Sequence, residues 1–453
     1  MPFSGATGYI FRTSTRFLYV WIFFIGVLLL STYTNRFYPI QSFSQTREQI
    51  TLTAMLIEPR DRWDILIPDA LDVLRQKHPD IDIDINYTVY QYIPGRQIMQ
   101  NALGEKIPVD MISVDQIWLA DFAEKGMISD LTNRTEKWGR LSDWYQSNLD
   151  GMVYKGKIYG IWIWTDQRMV WYWKDLLQQA SINPDSLKTW NGFIDATKKL
   201  NVLLKDQGIQ GVQLICGGAE WYPYLWIQGG DILMPKGGHP TKGNYWFPTF
   251  NSTEGIKALE FFKDIINTGT IPFEGTQTQN FESNFANKKF AIYIGGSWIP
   301  ASFPYYDLQE FKQRIGMNLG YPVPDIENQT TTIMGGWELS IPETSKHKDL
   351  IWELITIMTS PDILSNMFKQ TGYLPTQTPI GEGQYAVRLD NSLPYYKEMI
   401  SIIPFARSRP VIPEFPEIDR YITGSLSEVC SGIKEPKQAL DDAAEKSAKA
   451  LGW

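Results

Sequence analysis

The sequence predicts an α/β protein, and four stretches near its start carry that prediction. Thr51 to Ile57 (TLTAMLI) is a short apolar run suited to a buried strand. Ile81, Ile83, Ile85, Tyr87 and Val89 alternate with polar residues, the period of a half-buried strand. Between them Trp63, Ile67, Ala70, Leu71 and Leu74 share one helical face, and Val109 to Val114 followed by the helical stretch Ile117–Lys125 repeats the strand-to-helix alternation.

The remaining elements follow in order. His78-Pro79 stops the first helix, and Gly126 ends the second. Pro184 to Leu203 predicts a helix, with Thr189 as N-cap before Trp190. Residues 208–250 are rich in paired glycines and rings and predict loops. Ser252 caps a helix over Thr253–Ile266 with Gly269 beyond its end. Phe281–Asn287 predicts a short helix, Phe290–Ile294 and Met317–Val323 predict strands, and Lys348–Lys369 predicts a helix divided at Ser360-Pro361. Pro436–Leu451 closes the chain as an amphipathic helix led by proline.

Composition excludes several function classes. Of 453 residues, 43% are hydrophobic and 20% charged, a globular balance, and a net charge of −8 opposes broad nucleic-acid binding. Three histidines (His78, His239, His347) lie far apart, which leaves little for a metal centre or a histidine-dependent triad, and no cofactor is indicated. Cys216 and Cys430 form either one disulfide or two buried thiols. Asn86, Asn133, Asn251 and Asn328 stand in glycosylation sequons, a short pattern that also arises by chance.

Arg12 and Arg16 precede the uncharged run Phe17–Leu30, extended by Ser31 to Tyr33. No small-residue cleavage motif or lipoprotein cysteine follows, so 17–33 predicts a membrane anchor with 1–16 cytoplasmic, the alternative being a cleaved signal. Residues 34–49 then form a tether.

Lys155–Lys174 (KGKIYGIWIWTDQRMVWYWK) joins a dense set of rings to the polar interruption Thr165-Asp166-Gln167-Arg168. It suits either an aromatic core strand or the wall of a ligand cleft. Glu58 and Asp115 each lie just past a strand end, where ligands sit in open α/β sheets. An acid there also serves as a helix N-terminal residue complementing the dipole.

Several segments, in order, resemble the family 1 extracellular solute-binding proteins of ABC importers. They are IPVDMISVDQIWLADFAEKGMISDLT (107–132), the stretch 155–182, NFESNFANKKFAIYIGGSWIP (280–300), GGWELSIPETSKHKDLIWELITIMTSPD (335–362) and GYLPTQ (372–377). The resemblance spans about 50–451 and implies a two-lobed type II periplasmic-binding-protein fold whose lobes are joined by crossing strands. Lobe one would comprise 50–161 and 338–378, and lobe two 162–337 and 379–453. It further implies a non-enzymatic subunit that binds a carbohydrate, a di- or oligosaccharide, and delivers it to permease transmembrane subunits. Ligand-binding positions carried over are Glu58, Asp115, Trp164, Asp166, Trp298, Gly335, Gly336, Trp337 and Arg409, with Arg407 able to replace Arg409. Trp171 and Trp173 are expected to pack. Pyranose CH faces stack on such rings, and the hydroxyls need charged or amide partners. Competing readings are a glycoside hydrolase using Glu58 and Asp115 as its carboxylate pair, the same fold holding a peptide, polyamine or other solute, and a receptor that signals rather than transports.

Overall fold

The structure is a computed structural model that describes residues 47–237, 245–274, 281–325 and 329–453. The predicted anchor 17–33, the segment 1–16, nearly all of the tether, His239 and Asn328 lie outside the described residues. Among the described residues no helix is long and apolar enough to cross a membrane. The tether ends earlier than expected, because Glu48 and Gln49 already pair in the first strand.

In chain order the elements used below are β1 (Glu48–Ile57), α1 (Arg60–Lys77), β2 (Ile81–Tyr90), α2 (Tyr92–Gly104), β3 (Met111–Asp115), α3 (Gln116–Glu124), β4 (Ile161–Asp166) and β5 (Arg168–Trp173). There follow α4 (Trp190–Leu204), β6 (Gln210–Gln213), α5 (Gly218–Ile227), α6 (Thr253–Asn267), β7 (Phe290–Gly296), β8 (Ile315–Asn318) and β9 (Gly335–Ser340). The chain ends through α7 (Lys348–Met358), α8 (Pro361–Thr371), α9 (Phe415–Cys430) and α10 (Pro436–Leu451).

Two sheets organise these elements. The first has the order β2-β1-β3-β9-β4, parallel from β2 to β3 and antiparallel through β9 and β4. Its inner strand β1 buries Leu52, Ala54, Leu56 and Ile57, whereas the edge strand β2 buries Ile83 and Ile85 and exposes Asp82 and Asp84. That difference is why β1 reads as a run and β2 as an alternation. The second sheet has the order β8-β5-β7-β6, with β5 antiparallel to both neighbours. Trp171 and Trp173 of β5 are buried there, as expected, with their indole N–H groups donating to the carbonyls of Gly295 and Phe285.

The lobes meet where chain segments pass side by side. Buried Gln167 separates β4 in the first sheet from β5 in the second, and Met334 precedes the return strand β9. Gln167 and Met334 thus stand between the two sheets, and before the strands part Gly335–Trp337 pair with Trp164–Asp166 and Glu338 with Trp162. A third segment joins them: the Thr165 N–H donates to Leu374 O (3.0 Å) and the Leu374 N–H to Thr165 O (3.1 Å). Gln384–Asp390 still belongs with α8, Tyr385 OH donating to Asp362 (2.8 Å), while Tyr395 OH donates to Ile315 O of the second sheet (2.8 Å). Between Asp390 and Tyr395 the chain's contacts thus pass from α8 to the second sheet.

Most elements match the sequence reading, including the caps: Thr189 accepts from the Gly192 N–H, and Ser252 from the Gly255 N–H. Ser360-Pro361 does divide α7 from α8. Three differences stand out. The loop prediction for 208–250 misses β6 and α5, whose WYPYLW sequence carries an internal proline and glycine neighbours yet buries nearly every ring. The strand expected over 317–323 ends at Asn318, because Gly320 takes a positive φ of 64°. Helix α2 was hidden by Pro94-Gly95 in its first turn.

Cys216 and Cys430 form a disulfide that ties the segment Ile215–Cys216 to the end of α9 across 214 residues. A cross-link closing so long a loop restricts the unfolded chain strongly. Replacing both cysteines with serine is expected to lower unfolding free energy by about 2–5 kcal/mol. Denaturant melts of the two proteins test this, and an unchanged midpoint contradicts it.

Candidate ligand cleft between the lobes

Asp115 ends β3, where the chain turns directly into α3, so its carboxylate sits at a strand end and a helix start together. Its Oδ1 accepts the Ile117 N–H (3.2 Å) as an N-cap and also accepts from Arg409 Nη2 (2.8 Å). Its Oδ2 accepts from Tyr92 OH (2.7 Å). Both readings of this acid therefore hold: it caps a helix and it faces the cleft. Arg409, from the segment leading into α9, is 8% exposed, so the pair is a nearly dry contact between lobes. Burial alone pulls the Arg409 guanidinium's pKa down, and Asp115, Tyr92 and Asp419 more than reverse that pull, so it stays charged. Burial, with Asp115 adding, pushes the Tyr92 hydroxyl well up, which keeps it a donor.

Around this pair lies a cavity of about 280 Å³. From the first lobe it is lined by Tyr92, Asp115, Gly335, Gly336 and Trp337, and from the second by Arg168, Glu220, Glu282, Tyr293, Trp298, Arg409 and Asp419. Trp337 is half-buried and meets Tyr92 and Trp118 edge-on, with centroids 5.9 and 5.8 Å away. Trp298 presses one face on Tyr373 (5.2 Å, 18° between planes) and donates its indole N–H to Glu282 (2.9 Å). Arg168 pairs with Glu220, and Tyr222 OH donates to Asp419 (2.5 Å). Burial raises the Asp419 carboxyl's pKa, while the Tyr222 hydrogen bond and Arg409 draw it back.

Of the residues singled out from the sequence, Asp115, Trp298, Gly335, Gly336, Trp337 and Arg409 line this one cavity. Glu58 does not: it turns its Oε1 to the Tyr92 N–H (3.3 Å), and the Tyr92 ring occupies the cleft wall instead. Trp164 does not either. It is fully buried against Trp63 (4.9 Å) and Tyr373 (5.7 Å), because α1 and the 372–374 segment cover that end of β4. Asp166 ends β4 opposite Gly335, and its side chain lies outside the described residues. Arg407 pairs with Asp231 (2.8 Å) and takes no part in the cavity. Among the described residues no cluster of His, Cys, Asp and Glu could hold a metal ion.

Several lining residues escaped the sequence reading. Arg168 was visible as part of the polar interruption in a ring-rich strand, and Glu220 follows the pair Gly217-Gly218. Tyr92 and Asp419 carried no local signal, since only the folded chain brings α2 and α9 to Asp115.

Residues of β9 alternate between cleft and interior. Trp337 faces the cavity, and Glu338 is completely buried, with neither carboxyl oxygen hydrogen-bonded. Gly160 makes room for it, since a Cβ there would lie 2.3 Å from Glu338 Oε2. Burial, with Asp115 adding, pushes the Glu338 carboxyl well above its ordinary 4.5. At Gly336, φ is +143° and a Cβ would lie 2.2 Å from Trp164 O, so only glycine fits.

The sequence pattern of the bacterial extracellular solute-binding proteins matches residues 74–383, over half of the chain. The chain belongs to that family. Among relatives, the mannitol-binding protein of Pseudomonas aeruginosa is 23% identical over 419 residues, covering 88% of this chain and 93% of its own. The sn-glycerol-3-phosphate-binding periplasmic protein of Yersinia enterocolitica is 24% identical over 299 residues, 61% of this chain and 63% of its own. Among solved structures, an ABC transporter solute-binding protein of Thermotoga lettingae bound with α-D-tagatose superposes with a TM-score of 0.75 at 24% identity, over 89% of this chain and 100% of that one. Its fold is the two-lobed α/β arrangement described above. Family membership places this solute-binding protein outside the cytoplasm.

Two outcomes are expected. Gly336→Ala forces a strained backbone costing about 1–3 kcal/mol, with the clash adding to it, so its melting temperature falls clearly; an unchanged value contradicts the geometry. For Glu338 the folded pKa lies above the unfolded one, so the folded chain binds the proton more tightly and stability falls as pH rises from about 4.5. Glu338→Gln is expected to be more stable than the parent at pH 7 and to flatten that slope, as read from urea midpoints across pH.

Proposed function

We propose that this solute-binding protein is the carbohydrate-binding subunit of an ABC importer. A short saccharide or polyol would lie between the lobes and be presented to permease transmembrane subunits. The observation that carries this reading is one cavity walled by two indoles from opposite lobes, Trp337 and Trp298, with carboxylates and guanidinium groups between them. Rings suit the CH faces of a sugar, and charged groups suit its hydroxyls once water is expelled. A relative named for mannitol and a neighbour bound with tagatose support the same class. A cavity near 280 Å³ lies at the small end for ligand pockets, which favours a short ligand over a long oligosaccharide.

Binding rather than hydrolysis suits the acids. Glu58 stands off the cavity, and Asp115 already accepts from three donors, so the carboxylate pair of a glycosidase does not form from them. The apolar run 17–33, preceded by Arg12 and Arg16, supports a membrane tether that holds the binding lobes outside. The lobes would close by flexing where 165–168, 332–335 and 372–374 pass together.

Titration calorimetry against a panel of mono- and disaccharides, polyols and peptides tests the ligand class. Trp337→Ala is expected to weaken saccharide binding by more than ~10-fold, the loss of about 1.4 kcal/mol of ring contact. Unchanged binding by a folded variant removes Trp337 from the site.

A further inference from the structure

The charges lining the cleft are unequal, and their pairing leaves an excess of one sign. Among the described lining residues the carboxylates are Asp115, Glu220, Glu282 and Asp419, and the cations are Arg168 and Arg409. Each cation is already engaged: Arg168 with Glu220, and Arg409 with Asp115. Glu282 and Asp419 have neutral hydrogen-bond donors, the Trp298 indole and the Tyr222 hydroxyl. The first turn of α5 also faces the cavity, and its positive end would ordinarily attract an anion. Here that end is answered from within, since the Gly218 N–H donates to Thr423 (3.2 Å) and the Glu220 carboxylate folds back to within 2.6 Å of where a Gly217 Cβ would stand.

We propose that the cleft selects its ligand by charge, accepting neutral polyhydroxy solutes and rejecting their anionic counterparts, the uronic acids and sugar phosphates. This rests on the carbohydrate reading above and narrows it. A phosphate or carboxylate entering the cavity would meet guanidinium groups already paired with Glu220 and Asp115, and its charge would have to sit beside those acids, Asp419 and Glu282 in a partly dry site. Like charges brought together in such surroundings are costly. A hydroxyl has no such conflict, because it can donate to any of the four acids. The raised pKa of Asp419 agrees, showing a carboxylate that already feels burial and neighbouring negative charge.

The experiment uses the full chain in detergent and two matched series: neutral mono- and disaccharides, and the uronic acids and phosphates derived from them. Thermal shift finds the binders, and calorimetry measures each pair. The expected result is a neutral ligand whose acidic counterparts bind at least ~30-fold more weakly, given like-charge repulsion at a few ångströms. That ratio should shrink as salt rises from about 0.05 to about 0.5 M, which a purely steric exclusion would not do. Glu282→Gln and Glu220→Gln, which each remove one charge, should also shrink it. An acid or phosphate that binds as well as its neutral counterpart overturns the charge selection while leaving the carbohydrate reading intact. Silence from both series overturns the carbohydrate reading itself.

Discussion

The contact between Asp115 and Arg409 is the constraint from which the rest of the cleft follows. One carboxylate, fixed at the end of β3 and the start of α3, accepts from a backbone N–H, a tyrosine and an arginine of the opposite lobe. A charge pair this deeply buried needs its remaining hydrogen-bonding capacity met, and on the carboxylate side Tyr92 and the α3 cap supply it. The same pair sets where Trp337 stands, because Trp337 is the register partner of Asp115 on β9. It also brings the start of α9, with Asp419, into the cavity wall.

Behind the cleft an aromatic series runs from one lobe into the other: Trp63, Trp164, Tyr373 and then Trp298. Arg62 lies over the Tyr373 ring at 3.9 Å. Trp298 is thus stacked on Tyr373, with Gly296 also packed against its six-membered ring, and it lines the cavity. Trp164 thereby supports the site from beneath rather than touching a ligand. The Tyr373–Trp298 stack also pins the 372–374 segment beside the crossing strands, where a Cβ on Gly372 would lie 3.1 Å from Ser297 O.

Much of the fold was legible because it depends on local rules. The run in β1, the alternation in β2, the caps Thr189 and Ser252 and the break at Ser360-Pro361 each have a short-range cause. Elements whose composition opposes their structure were not legible: α5 is a buried ring cluster with an internal proline, and α2 opens on Pro94-Gly95. In the cleft, Asp115 was legible as an acid at a strand end, whereas Gly335-Gly336-Trp337 came from the family resemblance. Trp164 misled because β4 presents two tryptophans with the same spacing, and burial by α1 and Tyr373 is a property of the whole fold. Tyr92 and Asp419 depend on contacts between segments 23 and about 300 residues away from Asp115, beyond any local pattern.

The claim that the two lobes are locked together through Asp115 and Arg409 is tested most directly by a double-mutant cycle. Asp115→Asn, Arg409→Gln and the double variant would be compared with the parent by urea unfolding. A coupling of at least about 1 kcal/mol is predicted, with each single variant costing several kcal/mol because it strands a buried charge or acceptor. Strictly additive single losses would contradict the account, since the two side chains would then act independently of each other.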